Sequence, residues 1–281
     1  MIDYTLQTIL IGTTILGITS GLLGVFILLR HQSLLSDAIS HAALPGIALI
    51  FLVTHTKNPF LLMCGGAITG AIGTILMHII TKSTSLKKDA ALGIVLSVFF
   101  GCGLVLMTII QKQPIANQSI LNKFLFGNVS TLLHADLYAM AGIACIVLLC
   151  MQLFWKELTL ITFDPGFAHA LGFSVFALDI LLTVLMVFAI VIGLQTVGVV
   201  LMSTMLIAPA AAARQWTSNI KVMTILAVLF AVTSGMIGAV LSSLISQLPT
   251  GPTIVVVLST MVISSLLFAP HRGVMYHRRK I

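Results

Sequence analysis

The chain has 281 residues, of which 59% are hydrophobic and only 7% charged. A soluble domain is about one-quarter charged, so this composition excludes a water-soluble surface and points to an all-α polytopic membrane fold. The net charge of +7 is not a nucleic-acid signal, because the bases gather at the ends of apolar segments, as the positive-inside rule produces.

A membrane span needs about 20 apolar residues, and nine apolar runs come close to that length. The first, 6–29, carries Gly12, Gly17, Gly21 and Gly24, small residues that let helices approach closely. No basic region and cleavage site precede it, so it reads as a permanent span. Arg30 and His31 close it. The second, 34–54, holds Asp37 and His41, then Pro45-Gly46, a pair expected to kink or loosen a helix. A polar turn at His55-Thr56-Lys57-Asn58-Pro59 follows. The third run, 60–81, has Gly65, Gly66, Gly70 and Gly73; the fourth covers 90–110. A mixed segment, 111–133, contains Pro114, Lys123 and Leu125-Phe126-Gly127, and the fifth run is 135–154.

The long polar interruption 155–172 comes next. Asp164-Pro165 reads as an N-cap with proline at the first helical position, and Gly172 as a C-terminal stop. A short helix outside the bilayer is expected there. The sixth run is 174–194, the seventh a short 197–213 ending near Pro209, and the eighth 222–245. Leu248-Pro249-Thr250-Gly251-Pro252 is read as a turn, 253–269 as the ninth run, and 271–280 as a basic tail. The whole, 1–281, is expected to be one transmembrane domain.

Nine spans put the termini on opposite sides. With the N-terminus outside, only Lys57, Lys112 and Lys123 of the 14 bases fall outside. The reverse orientation would leave only those three inside, so the charge bias favours N-out and C-in. Eight spans result if the sixth and seventh runs merge, but that places Arg214 and the basic tail outside.

The chain has seven acids, and each one inside an apolar run needs a reason. Asp37 and His41 are four residues apart, so on a helix they share a face. A carboxylate beside an imidazole is a ligand pair suited to Mn, Zn or Fe(II). Both groups are costly in a membrane unless they line a pathway. Ser33, one turn before Asp37, extends the polar face, whereas Ser36 and Ser40 are expected to bond within the helix. Two ligands leave a four-to-six-ligand shell incomplete; a symmetric partner chain, waters or a second segment must supply the rest, and a second copy of the chain would add two more. His55, His78, His134 and His169 read as lone structural residues, and Asp179 as a boundary residue. The four cysteines form no C-x-x-C pair and read as buried small hydrophobes.

Enzyme signatures are missing. There is no H-E-x-x-H helix for a metalloprotease and no G-x-S-x-G elbow. Without G-x-x-x-x-G-K-[ST], ATP hydrolysis has to come from another subunit. A gradient-driven cation transporter and an intramembrane metalloenzyme are the rival readings of the Asp37/His41 pair. The enzyme reading lacks a general base and further ligands.

The stretch Leu28-Leu29-Arg30 and Ser33-Leu34-Leu35-Ser36-Asp37-Ala38-Ile39-Ser40-His41-Ala42-Ala43-Leu44-Pro45-Gly46 resembles the signature of permease subunits of bacterial manganese/zinc/iron ATP-binding-cassette importers. The likeness continues at Leu125-Phe126-Gly127, at Thr162-Phe163-Asp164-Pro165 with Ala168 and Gly172, at Gly193 to Gly198, at Ala208-Pro209-Ala210 and at Leu248 to Pro252. Departures are Gly166, where an acid is common, and Met202-Ser203-Thr204, where small aliphatic residues are usual.

This resemblance implies a permease in the bacterial cytoplasmic membrane, paired with a second permease copy as a homodimer or with a related permease as a heterodimer. Two cytoplasmic ATPase subunits and an extracytoplasmic metal-binding protein would complete the importer. It implies a fold similar to cobalamin and siderophore permeases minus one N-terminal span. It assigns Asp37 and His41 to the transported metal, which is cargo and not a resident cofactor. It makes 155–172 the coupling helix segment, with Asp164, Pro165, Ala168 and Gly172 as its matching residues. Alternating access is the implied mechanism, with Pro45 and Gly46 as a joint. A metal chelate is the alternative cargo.

Overall fold

In a membrane every backbone N–H and C=O has to be satisfied within the protein, which leaves helices as the simplest solution for apolar runs of this length. The structure, a computed structural model, describes residues 4–55, 58–112, 134–245 and 248–270, with Gly273 and Met275. Among these residues there is no strand. In chain order the helices are α1 (Tyr4–Leu29), α2 (Ser33–Thr54), α3 (Pro59–Ser83), α4 (Lys88–Gln111), α5 (His134–Leu153), α6 (Trp155–Phe163), α7 (Pro165–Ala170), α8 (Val175–Val197), α9 (Val199–Trp216), α10 (Ile220–Leu244) and α11 (Thr250–Phe268). The segment around Pro114, Lys123 and Leu125-Phe126-Gly127, and most of the basic tail, lie outside the described residues.

Each apolar run becomes a helix whose ends fall within a few residues of the sequence expectation. Eight of these helices are long and apolar enough to cross a membrane. The seventh run, α9, is not among them. It is 18 residues long with Pro209 inside, so it spans about 27 Å, slightly less than a hydrocarbon core of about 30 Å. The turn expected at 248–252 is shorter than read: α11 already begins at Thr250, with Pro249 as its N-cap. Pro252 fits in the first turn because an N–H there has no helical partner to lose. The polar turn before α3 ends as expected, with Asn58 Oδ1 accepting from the Phe60 N–H at 3.1 Å.

Two units are distinguished by their internal contacts: residues 1–31, 128–178 and 204–281 in one, and 32–127 and 179–203 in the other. In the first unit, α1 runs antiparallel to α10. Gly17 and Gly21 face the α10 backbone at Val232 and Val228, where an added Cβ would come within 2.9 and 2.8 Å of backbone atoms. Val25 packs with Ala210, Ala213, Met223 and Ala227 in an apolar core. The Trp155 ring meets Phe26 edge-on, with centroids 5.4 Å apart, and so ties α6 to α1.

The second unit is built on α2. α3 lies antiparallel against it through the glycines of the third run: Gly65 meets Gly46, Gly66 meets Ala43 and Ile47, and Gly73 meets Ala42. α4 runs parallel to α2 on another face, with Gly103 against Leu44 and Pro45. Between α8 and α9 the chain turns sharply at Gly198, whose φ of +82° is one that L side chains rarely adopt. The turn brings Met202 Sδ against Gly193.

One sequence expectation changes here, that of buried cysteines, and the Pro45-Gly46 pair gains structural detail. Pro45 does not interrupt α2, which is helical from Ser33 to Thr54. Gly46 has a packing reason of its own, because a Cβ there would collide with the Gly65 carbonyl oxygen and Thr69 Oγ1. The cysteines are free as expected, but Cys102 and Cys145 are exposed and Cys64 and Cys150 half-buried. They sit among outward-facing apolar residues of spanning helices, where a small hydrophobe is equally at home.

Gly46→Ala is expected to destabilise the protein by about 1–3 kcal/mol, the usual cost of overpacking, and to lower its melting temperature in detergent. Gly101→Ala, on α4 with nothing within 4 Å of its added Cβ, is the control and should be neutral or slightly stabilising.

Candidate metal site and coupling segment

Asp37 lies one turn, and His41 two turns, inside the start of α2. The i, i+4 spacing brings them together as the sequence predicts: His41 Nε2 is 3.5 Å from Asp37 Oδ1. That is long for a hydrogen bond. It is close to the separation of two donors on one metal, since bonds of about 2.0–2.2 Å at a tetrahedral angle put their ends about 3.4 Å apart. The side chains are 19% exposed for His41 and 37% for Asp37, so the pair is partly shielded. The edge of Phe100 on α4 packs against the imidazole, with ring centroids 4.5 Å apart.

His41 Nδ1 is buried and has no hydrogen-bond partner among the described residues. An unsatisfied buried polar atom costs about 1–3 kcal/mol. Pro45 adds a second local feature, because it has no N–H to give to the carbonyl of His41 one turn earlier.

The serines divide as their spacing suggests. Ser36 Oγ donates to the Ser33 carbonyl at 3.1 Å, and Ser40 Oγ to the Ser36 carbonyl at 2.7 Å. Both are fully buried and spent within the helix. Ser33 is half-buried at the first position of α2. Among the described residues no group of three or more His, Cys, Asp and Glu side chains is placed to hold a metal. A metal held by the pair would need donors from elsewhere.

The sequence reading missed one association. His78, read there as lone, has its Nε2 3.9 Å from Asp179 Oδ2. Within the second unit this links α3 to α8. His55, by contrast, is a helix stop: it caps α2 with φ +48° while its N–H donates to the Phe51 carbonyl at 2.9 Å. His169 is exposed on α7, and the His134 side chain lies outside the described residues.

The 155–172 segment folds as α6 and α7. Asp164 Oδ1 accepts from the Phe167 N–H at 2.8 Å, with Pro165 at the first helical position, as the sequence predicts. The far end is a Schellman motif: the Phe173 N–H donates to the Ala168 carbonyl at 3.1 Å and the Gly172 N–H to the His169 carbonyl at 3.0 Å. Gly172 takes φ +88°. Ala168, Leu158 and Ile161 are buried. Phe163, Phe167 and Leu171 are exposed, an apolar surface on and beside two short helices.

Comparison with known proteins places this geometry in context. Residues 2–269 match the family model described as "ABC 3 transport family". The chain is 46% identical over 282 residues to the zinc transport system membrane protein TroC of Treponema pallidum, covering 99% of this chain and 95% of that protein. It is 47% identical over 268 residues to the manganese transport system membrane protein MntC of Bacillus subtilis, covering 95% of this chain and 61% of that longer protein. Among solved structures it is similar to PsaBC from Streptococcus pneumoniae in complex with Fab. The TM-score is 0.86 and the identity 31%, over 99% of this chain and 96% of that one.

Asp164→Ala removes the α7 N-cap and should cost about 1 kcal/mol of local stability. Hydrogen exchange at the α7 amides, Phe167 above all, is expected to accelerate about fivefold, while exchange in α10 stays unchanged.

Proposed function

The chain belongs to the ABC 3 transport family, the permeases of metal-importing ATP-binding-cassette transporters, and from that premise we propose that it carries Mn, Zn or Fe(II) through a site made by Asp37 and His41. The observation that carries this reading is the pair itself. An acid and an imidazole stand 3.5 Å apart on a spanning helix, and the second ring nitrogen is buried without a hydrogen-bond partner among the described residues. Carboxylate and imidazole together accept all three ions, so the donor set leaves the choice to geometry and supply.

In this reading two copies of the chain face each other and contribute two carboxylates and two imidazoles. Ser33 extends the polar face toward the start of α2. An extracytoplasmic metal-binding protein delivers the ion, and two cytoplasmic ATPase subunits drive the cycle. The chain sits in the bacterial cytoplasmic membrane with its N-terminus outside, so that Arg30, Lys82, Lys87, Lys88, Lys156, Arg214 and Lys221 face the cytoplasm. That orientation makes α9 a crossing segment, with Arg214 in its last turn reaching the interface.

The coupling segment is α6 and α7. Their exposed Phe163, Phe167 and Leu171 dock on the ATPase, while the Asp164 cap and the Gly172 motif fix the shape of α7. Gly166 offers no side chain to that contact, so it is made through the apolar residues. ATP-driven closure moves this segment, and the spans alternate the Asp37/His41 site between the two faces of the membrane. Pro45 provides compliance in α2 by leaving one helical bond unmade, and Gly46 keeps α2 pressed on α3 during the movement.

The test is uptake of Mn, Zn and Fe(II) by cells making the complete transporter, with membrane abundance checked. Asp37→Asn and His41→Ala should each reduce uptake at least tenfold at normal abundance. Unchanged uptake in both would show that the path lies elsewhere.

A further inference from the structure

Among the described residues, two acids lie beyond the first turn of a long apolar helix: Asp37 and Asp179. Each faces a histidine. Asp179 sits one turn inside α8, and His78 just over one turn before the end of α3. Their side chains are 18% and 31% exposed, and His78 Nε2 is 3.9 Å from Asp179 Oδ2.

The packing fixes where this second pair stands relative to the first. Gly70 of α3 lies between Ile39 of α2 and Val187 of α8, and a Cβ added to it would stand 3.5 and 3.7 Å from their side chains. An equal step from Gly70 and from Val187 leads to His78 and Asp179, so α3 and α8 run antiparallel. α2 is also antiparallel to α3, and Leu35 and Met77 line one seam between them. The last turns of α3 therefore stand beside the first turns of α2. All four residues, Asp37, His41, His78 and Asp179, are at one end of the same unit.

A direct hydrogen-bonded tether does not account for the second pair, because 3.9 Å is beyond N–H···O reach. It is within reach of one metal. Two donors on a tetrahedral ion with bonds of about 2.0–2.2 Å stand about 3.4 Å apart, and a closing of about 0.5 Å by small side-chain rotations brings this pair to that separation. Ionisable residues in spanning segments are rare and mark ion pathways by default. An ion also moves through a pathway when successive sites hold it weakly enough to release it.

We propose that His78 and Asp179 form a second divalent-cation subsite, which takes Mn2+ or Zn2+ through one imidazole nitrogen and one carboxylate with water completing the shell. It rests on the reading that this chain passes divalent metal. The subsite is a station for the ion at the same end of the bundle as Asp37 and His41. With two protein donors among the described residues, it binds more weakly than a site completed by two chains.

The experiment is Mn2+ titration of the full-length permease purified in detergent, followed by the six-line electron paramagnetic resonance signal of free Mn2+. Wild type should remove free Mn2+ in two classes, a tight one and a weak one. His41→Ala should lose the tight class and keep the weak one. Asp179→Asn should do the reverse, and the two together should bind neither. His78→Gln keeps a side chain able to hydrogen-bond to Asp179 but is a poor ligand, so the weak class should fall at least tenfold with the elution profile unchanged. The proposal is overturned if His41→Ala removes all binding, or if a well-behaved Asp179→Asn or His78→Gln titrates like wild type. Retention of both classes by His41→Ala would instead sink the Asp37/His41 reading, and leave the second subsite to be judged on Asp179→Asn alone.

Discussion

The cost of holding a carboxylate and an imidazole inside a bilayer is the constraint on which the rest of this molecule turns. Water stabilises such groups, hydrocarbon does not, and the penalty is several kcal/mol per charged group. A chain with so few charges has little to offset it. It keeps Asp37 and His41 side by side on α2, half-shielded, with Phe100 against the ring. The buried His41 Nδ1 has no hydrogen-bond partner among the described residues. In the proposed reading donors from outside the chain complete the pair, as a site that receives and releases an ion requires.

Holding α2 in place is then a packing problem, because helices in lipid gain little from hydrophobicity and depend on close contact. The glycines of α3 meet that need. Gly65, Gly66, Gly70 and Gly73 let α3 approach α2 along the stretch that carries the site. The same device joins α1 to α10 through Gly17 and Gly21. Long apolar side chains elsewhere, such as Val98 and Val105 on α4, stay exposed and suit a lipid or a protein neighbour. The frame is tight where it supports the pair and loose in composition where it faces outward.

Much of this was legible in the sequence for identifiable reasons. Asp37 and His41 are an i, i+4 pair, so their association follows from helix geometry alone. The caps at Asp164 and Gly172 are local, and the backbone takes the conformations those residue types favour. The family likeness rests on the stretch from Arg30 to Gly46, and the match over residues 2–269 agrees with it. What escaped was non-local. His78 and Asp179 come together only through the packing of α3 on α8, which no spacing rule encodes. Gly46 looked like a joint next to proline, yet its closest neighbour is the α3 backbone. The status of α9 was ambiguous because an 18-residue helix with an internal proline lies at the edge of spanning length.

The most direct test of the Asp37/His41 site is anomalous diffraction at the manganese edge, from crystals of the transporter grown with Mn2+. The account predicts a peak within about 2.0–2.3 Å of His41 Nε2 and an Asp37 carboxylate oxygen, absent in crystals of the His41→Ala variant. A well-occupied Mn2+ bound in the transmembrane region with neither residue among its ligands would contradict it.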